Sequence, residues 1–404
     1  SPLTGAVTYL EPMTGRHAGR RVVYASGYLV CPKDGVPHTN VFNKMCSGKG
    51  INPDQAKASA LCEALERFSG ICQGDEAVVR ASMVELGPDA VHFNGLQNFS
   101  DSQFENRDTL NALTRDRRKW IPSPFDVHTA IDWTPAWTLS RNRKRYVPLS
   151  YCYAEAPPES GSMYGTHNPN GAAAGNCLEE AVLQGILELV ERDAVAIWWY
   201  NKLPRPEIDL AGFRDGYFNS LKYEYARMGW NLWVLDLTHD LSIPVYAALA
   251  HHARDKRFTI GFGCHLDAHL AVQRALTEVN QLFDPTGKLQ APWDMSELPT
   301  LDFLFPLKDA GPEPPDAFPH LGGPDLKTDI ECCVERLVHA GLEVMVVNKT
   351  RPDIGLHVVH VMVPGLRHFW PRLGPGRLYS VPRAMGWVGR RLLESDLNPV
   401  PLFL

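Results

Sequence analysis

The sequence predicts a mixed α/β (α+β) fold with interleaved lobes, and three observations carry that expectation. Residues 214–250 and 327–363 repeat one plan: a helix (YFNSLKYEYARMG; TDIECCVERLVHAG), a strand (WNLWVLDLT; LEVMVVNKT), a turn and a second strand (IPVYAALA; HVVHVMV). Gly229 and Gly341 stand at the matching helix ends, where glycine closes a last turn most easily. Residues 19–32, GRRVVYASGYLVCP, alternate as a strand does. Three other segments set polar side chains along one stripe of an otherwise apolar helix, which points to a central polar cavity between helices. With 404 residues and 44% hydrophobic content the chain can bury a large core. One domain over 1–404 is expected rather than separate beads.

The remaining elements follow in order. VFNKMCSGKGINP leads into the first striped helix at about Pro53. SGKG (47–50) lacks the upstream glycine and the Ser/Thr of a Walker A loop, so a plain turn and a short phosphate-contacting loop both remain open. Residues 84–118 are polar and aperiodic and read as a variable surface region. HNPNGAAAGNCLEEA (167–181) is a small-residue entry to the second striped helix, suited either to close ligand approach or to a tight structural turn. GFG (261–263) lacks the third glycine of a dinucleotide fingerprint. DAGPEPPDAFPHLGGPD (309–325) reads as an exposed connection. SDLNPVPLFL (395–404) ends on apolar residues with two spaced prolines, which suggests a tail docked on the body.

The stripes carry the chemistry. ASALCEALERFSG places Ser59, Glu63, Glu66 and Arg67 at i, i+4, i+7 and i+8, and VLQGILELVERDA repeats this with Gln184, Glu188, Glu191 and Arg192. On a helix these offsets fall within roughly a 100° sector. A third helix, AVQRALTEVNQLF, carries Arg274, Glu278 and Gln281 at the same spacing. One copy would read as a solvated face with i,i+4 ion pairs. Three copies with apolar flanks favour an interior site. Its glutamates need cations, and arginines together with Mg²⁺ bridging to phosphates match the preference of carboxylates.

Composition narrows the rest. A net charge of −6 offers no basic surface for a nucleic-acid backbone. No segment approaches the roughly 18 apolar residues of a membrane span, and SPLTGAVTYLEP has no signal-peptide pattern, so no membrane partner and a cytoplasmic location are expected. Nine scattered cysteines form no CxxC pair and read as reduced thiols. The adjacent His251-His252 follows a strand-like run and is a weak metal candidate.

Over nearly its whole length the chain resembles the YcaO superfamily, and within it the SagD-like branch of azoline-forming peptide cyclodehydratases. The residues that carry the resemblance are SGKGINPDQAKASALCEALER, NGAAAGNCLEEAVLQGILELVERDAVAIWW, GFGCHLDAHLAVQRALTEVNQ, VPGL at 363–366, RLYSVPRAMGW and LNPVPLFL. The resemblance implies a YcaO-type fold whose central cavity binds a nucleotide, with ATP and Mg²⁺ as cofactors. It implies metal ligation by Glu63, Glu66, Glu188 and Glu191. It implies nucleotide contacts from Ser59, Asn176, Glu180, Gln184, Arg192 and Arg274, with Arg67 and Lys49 matching less closely.

The implied reaction converts Cys, Ser or Thr of a ribosomally made precursor peptide to a thiazoline or oxazoline by phosphorylating the backbone amide oxygen. Family members commonly end in Pro-x-Pro-x-Pro with a terminal carboxylate thought to reach the active site. Here the end is Pro399-Val400-Pro401-Leu402-Phe403-Leu404, which departs from that pattern and leaves the Leu404 carboxylate as a catalytic candidate or the tail as a docking segment. Implied partners are the precursor, a separate leader-peptide-binding protein and an FMN-dependent azoline dehydrogenase, and a homodimer fits the family. The alternatives are a thioamide- or amidine-forming YcaO enzyme and a non-catalytic scaffold of a peptide-maturation complex.

Overall fold

A computed structural model describes residues 5–13, 18–29, 44–114, 119–284, 297–308, 311–315 and 320–402. Leu404, and with it the expectation for its carboxylate, lies outside the described residues, as do Phe403 and parts of the 309–325 connection.

The chain opens with an antiparallel sheet of β1 (Val7–Pro12), β2 (Val22–Tyr28) and β3 (Lys44–Gly50) in that order. SGKG therefore belongs to a strand and not to a turn or loop, with Ser47 opposite Ala25 and Lys49 opposite Val23. The first striped helix, α1 (Pro53–Ser69), starts at the expected residue. The Asn52 side chain accepts the Gln55 amide at 2.9 Å, and Pro53 fills a position whose missing N–H costs nothing.

After β4 (Val79–Ala81) come four short helices: α2 (Met83–Leu86), α3 (Phe93–Gln97), α4 (Asp101–Glu105) and α5 (Arg107–Ala112). This stretch differs from the surface region expected over 84–118. Ala90, Val91, Phe93, Leu96 and Phe99 are buried, and all but Phe99 join one core cluster with Trp133 and Tyr164. Its apolar residues lack a period because each element is only about one turn long, with α2 and α4 capped by Ser82 and Ser100.

β5 (Ile131–Thr138), β6 (Arg143–Pro148), α6 (Leu149–Cys152) and β7 (Ala172–Gly175) lead into α7 (Leu178–Asn201), the second striped helix. Then α8 (Gly216–Arg227), β8 (Trp230–Asp236) and β9 (Val245–His252) form the first copy of the repeated module, extended by β10 (Arg257–Cys264) and by the third striped helix, α9 (Ala268–Leu282). The second copy is α10 (Leu326–His339), β11 (Met345–Asn348) and β12 (His357–Met362), followed by α11 (Arg377–Ala384). Gly229 and Gly341 take matching φ values of 81° and 78°. The two copies enter different sheets: β10-β9-β8, and a larger β4-β5-β11-β12-β7 sheet with β6 paired to β5.

Each striped helix thus lies on its own sheet: α1 on β2 and β3, α7 on β7 and β12, α9 on β9 and β10. The glycines of SGKG and GFG make this close approach possible. A Cβ on Gly48 would overlap the Ala60 amide nitrogen of α1, and one on Gly263 would overlap the Ala271 carbonyl of α9. Alanine faces glycine across both contacts, so backbone meets backbone. The motifs that failed as phosphate fingerprints are helix seats.

The largest core cluster surrounds α7 and includes Ile186, Val190, Trp198, Trp199 and Tyr200. The described end of the tail docks there, as expected: Val400 and Leu402 are buried, Trp199 donates to the Val400 carbonyl at 2.7 Å, and the Asn398 amide donates to the Tyr200 carbonyl at 2.7 Å.

Candidate nucleotide site

The polar sides of α1, α7 and α9 face one cavity of about 510 Å³. Ten of the twelve nucleotide and metal positions suggested by the resemblance line it: Lys49, Ser59, Glu63, Glu66, Arg67, Gln184, Glu188, Glu191, Arg192 and Arg274. Asn176 and Glu180 do not. The Asn176 amide and side chain both donate to the Glu180 carboxylate, at 2.8 and 3.0 Å, at the exposed start of α7. Glu180 is part of the α7 stripe by spacing, but it lies one turn nearer solvent than Gln184.

Each arginine clamps the two carboxylates of its own helix. Arg67 lies 3.6 Å from Glu63 and 3.9 Å from Glu66. Arg192 lies 3.0 Å from Glu188 and also contacts Glu191, and its guanidinium sits 4.9 Å over the Phe369 ring. The amide of Gly171, at the small-residue entry, donates to Glu188 at 3.1 Å. Lys49 pairs with Glu278 of α9, and its own amide donates to Ser59 Oγ at 3.4 Å. Gln281 reaches the Ser47 carbonyl at 2.8 Å, which fastens α9 to the first sheet. Arg274 donates to the Cys264 carbonyl at 3.3 Å, and burial lowers its proton affinity.

Five carboxylates (Glu63, Glu66, Glu188, Glu191, Glu278) face four cations (Lys49, Arg67, Arg192, Arg274). Burial raises the Glu66 carboxyl to about 8, against Arg67 and helped by Glu188 and Glu63. Burial raises Glu191 to about 7, against Arg192 and helped by Glu278. Such a site has acids to spare for an incoming cation. Among the described residues no three His, Cys, Asp or Glu side chains gather into a ready metal cage. Mg²⁺ bound with a nucleotide needs only one or two carboxylates from the protein. The donor set fits: oxygen ligands for the metal, and guanidinium and ammonium groups for phosphates.

The family described as YcaO cyclodehydratase, ATP- and Mg²⁺-binding, matches residues 47–367. The chain belongs to the YcaO family. Its mixed α/β architecture also matches solved members. The structure titled "Heterocyclase in complex with substrate and Cofactor" is 41% identical, with a TM-score of 0.92, over 100% of this chain and 55% of that one. The heterocyclase TruD is 43% identical, with a TM-score of 0.79, over 87% of this chain and 51% of that one. This YcaO chain therefore spans about half the length of those two. YcaO from Methanopyrus kandleri, solved with AMPPCP and Mg²⁺, shares the fold at 21% identity and a TM-score of 0.61, over 89% of this chain and 86% of that one.

Several features of the YcaO site escaped the sequence reading of ligand positions. Glu278 was visible in the third stripe, but its pairing with Lys49 across two sheets was not. Phe369 and Thr277 line the cavity without any pattern to mark them. Lys349 is buried, donates to the Cys152 carbonyl and has its proton affinity lowered to about 8 by burial, with Cys152 and Glu66 acting against that fall. It stands at a strand end, where no periodicity could single it out. The His251-His252 pair holds no metal-like cluster: His251 packs on Phe258 and His252 pairs with Asp255 at 3.1 Å. All eight described cysteines are free thiols, as expected. No described helix is long and apolar enough to cross a membrane.

Proposed function

We propose that this protein is an ATP- and Mg²⁺-dependent cyclodehydratase that converts Cys, Ser or Thr of a ribosomally made precursor peptide to thiazolines or oxazolines. The single observation that carries the reading is the convergence of the Glu63/Glu66 and Glu188/Glu191 rows inside one cavity, close enough for Glu188 to perturb Glu66. The likeness to heterocyclases at 41% and 43% identity supports the substrate class.

The reaction joins the side-chain sulfur or oxygen to the preceding carbonyl carbon, moves the γ-phosphoryl group of ATP to the carbonyl oxygen, and expels phosphate as the C=N bond forms. Within it, Glu63, Glu66, Glu188 and Glu191 would hold Mg²⁺. Arg192, Arg274 and Lys49 would bind phosphate oxygens and neutralise charge as it moves. Ser59 and Gln184 would orient the nucleotide by hydrogen bonds, and the Arg67 clamp would keep the α1 acids aimed inward. Asn176 and Glu180, paired with each other, would border the nucleotide at the cavity mouth.

The precursor's leader would be gripped by a separate leader-peptide-binding protein. An FMN-dependent dehydrogenase would then oxidise azolines to azoles. A homodimer is also proposed. Incubation with ATP, Mg²⁺, a cognate precursor and the leader-binding protein should remove the mass of one water per ring. Exchange of oxygen for sulfur would instead select thioamide formation, and binding without any mass change would select the scaffold role.

A further inference from the structure

A second cavity, of about 830 Å³, opens beside the nucleotide site and is used by nothing described above. Three stretches of chain have residues in both. On β3, Lys44 lines the second cavity while Ser47 and Lys49 line the first. Along the small-residue entry, His167 and Asn168 line the second while Ala172 lines the first. In the third stretch, His368 and Trp370 line the second while Phe369, between them, lines the first. Neighbouring Cα atoms are about 3.8 Å apart, so along 368–370 the wall between the cavities is one residue thick.

That wall contains an unused polar atom. His167 Nε2 is shut off from solvent and has no hydrogen-bond partner. Its ring meets His360 edge-on at 6.3 Å, and His360 in turn stacks on Tyr151 at 5.9 Å and points a ring nitrogen at the Asn170 carbonyl, 3.2 Å away. The same loop ends at Gly171, whose amide holds Glu188. Burial, with Lys349 nearby, keeps the His167 imidazole neutral, so this part of the wall adds no charge. The outer rim mixes apolar and charged surface: Trp120 is 44% and Met163 60% exposed, beside Lys44, Arg107, Asp108 and Glu155.

We propose that this second cavity is the seat of the precursor's reacting segment: a short peptide that fills it while its thiol- or hydroxyl-bearing residue and preceding carbonyl reach round the 368–370 wall to the nucleotide. The inference rests on the cyclodehydratase reading and adds to it where the peptide sits. The chemistry demands such a place, because the carbonyl oxygen must come within bonding distance of the transferred phosphoryl group while the rest of the peptide stays clear of the nucleotide. The volume lies within the range that holds a compact ligand of several residues' side-chain bulk. Trp120 and Met163 offer apolar surface to the peptide's side chains, while the polar inner wall orients the reacting amide.

Two variants and one probe test it. Thr166→Trp fills the wall beside His167, and Trp120→Ala removes the aromatic mouth. With the leader-binding protein present, each should raise KM for the precursor, T166W by about tenfold or more and W120A by about fivefold. Affinity for a non-hydrolysable ATP analogue and the melting temperature should stay at wild-type values. Independently of turnover, a core peptide carrying benzophenone next to its cysteine should crosslink to residues 120–123 or 162–168. Crosslinks elsewhere, or unchanged KM in both variants, overturn the seat while leaving the cyclodehydratase reading intact if water is still lost. Crosslinks at these residues without any loss of water support a peptide seat and overturn the reaction.

Discussion

Burial raises the Glu66 carboxyl to about 8, and the charge of Glu188, on a different helix and sheet, adds to that rise across the cavity. The two acids are about 120 residues apart in sequence, and only the meeting of α1 and α7 makes them neighbours in function.

Glu188→Gln should therefore lower cyclodehydration by at least about a hundredfold, since it removes an anionic ligand and leaves Arg192 with one carboxylate fewer. Fold stability should change little, because one of several mutually repelling acids is lost. Rates of water loss by mass spectrometry, together with thermal melts, check both halves.

Binding of Mg²⁺ with ATP should tighten as pH rises from about 6 to 8.5. Glu66, raised to about 8 by burial, and Glu191, raised to about 7 by burial, hold protons that an arriving metal must displace. The sign for metal-free stability is opposite. An acid raised from about 4.3 in the unfolded chain binds more protons when folded, so its contribution is full below about 4.3 and fades as pH climbs through the folded value. Calorimetry in buffers of different ionisation enthalpy should show proton release on binding.

Acid stability should depend on Glu76. Burial opposes its charge, yet the Gln73 amide at 2.7 Å and Arg351 at 2.7 Å outweigh burial and bring the carboxyl down to about 2. A lowered acid stabilises above its unfolded value of about 4.3 and loses that contribution as pH falls toward 2. Glu76→Gln should cost about 2–3 kcal/mol at neutral pH and much less near pH 2, measured by urea unfolding across that range.

Gly263→Ala should destabilise by at least about 2 kcal/mol, because the new methyl group meets the Ala271 carbonyl and helix α9 must lift from its strand. Arg274 rides on that helix, so ATP affinity should fall with the melting temperature. A parallel loss from Gly48→Ala, on β3 beneath α1, would mark the two seats as equivalent.

Much of this was legible because it is periodic. The stripes of α1, α7 and α9 and the two helix-strand-strand modules extend over enough residues for side-chain spacing to declare itself. SGKG reads as a turn or a short phosphate-contacting loop because glycine usually marks a bend, whereas Gly48 serves helix proximity within a strand. Phe93 and Leu96 were lost in a polar stretch of one-turn helices. Lys349 and the wall at 368–370 arise from tertiary contacts alone, which leave no trace in local spacing.

The pairing of β7 with β12 bears on how the molecule is made. Helix α7 carries Glu188 and Glu191, yet the strand beside its supporting edge is residues 357–362, about 155 residues beyond the helix's last residue, Asn201. Those two acids gain their backing only once that distant stretch has been made, so this side of the cavity is set by a long-range pairing and forms late relative to the local helix–strand contacts.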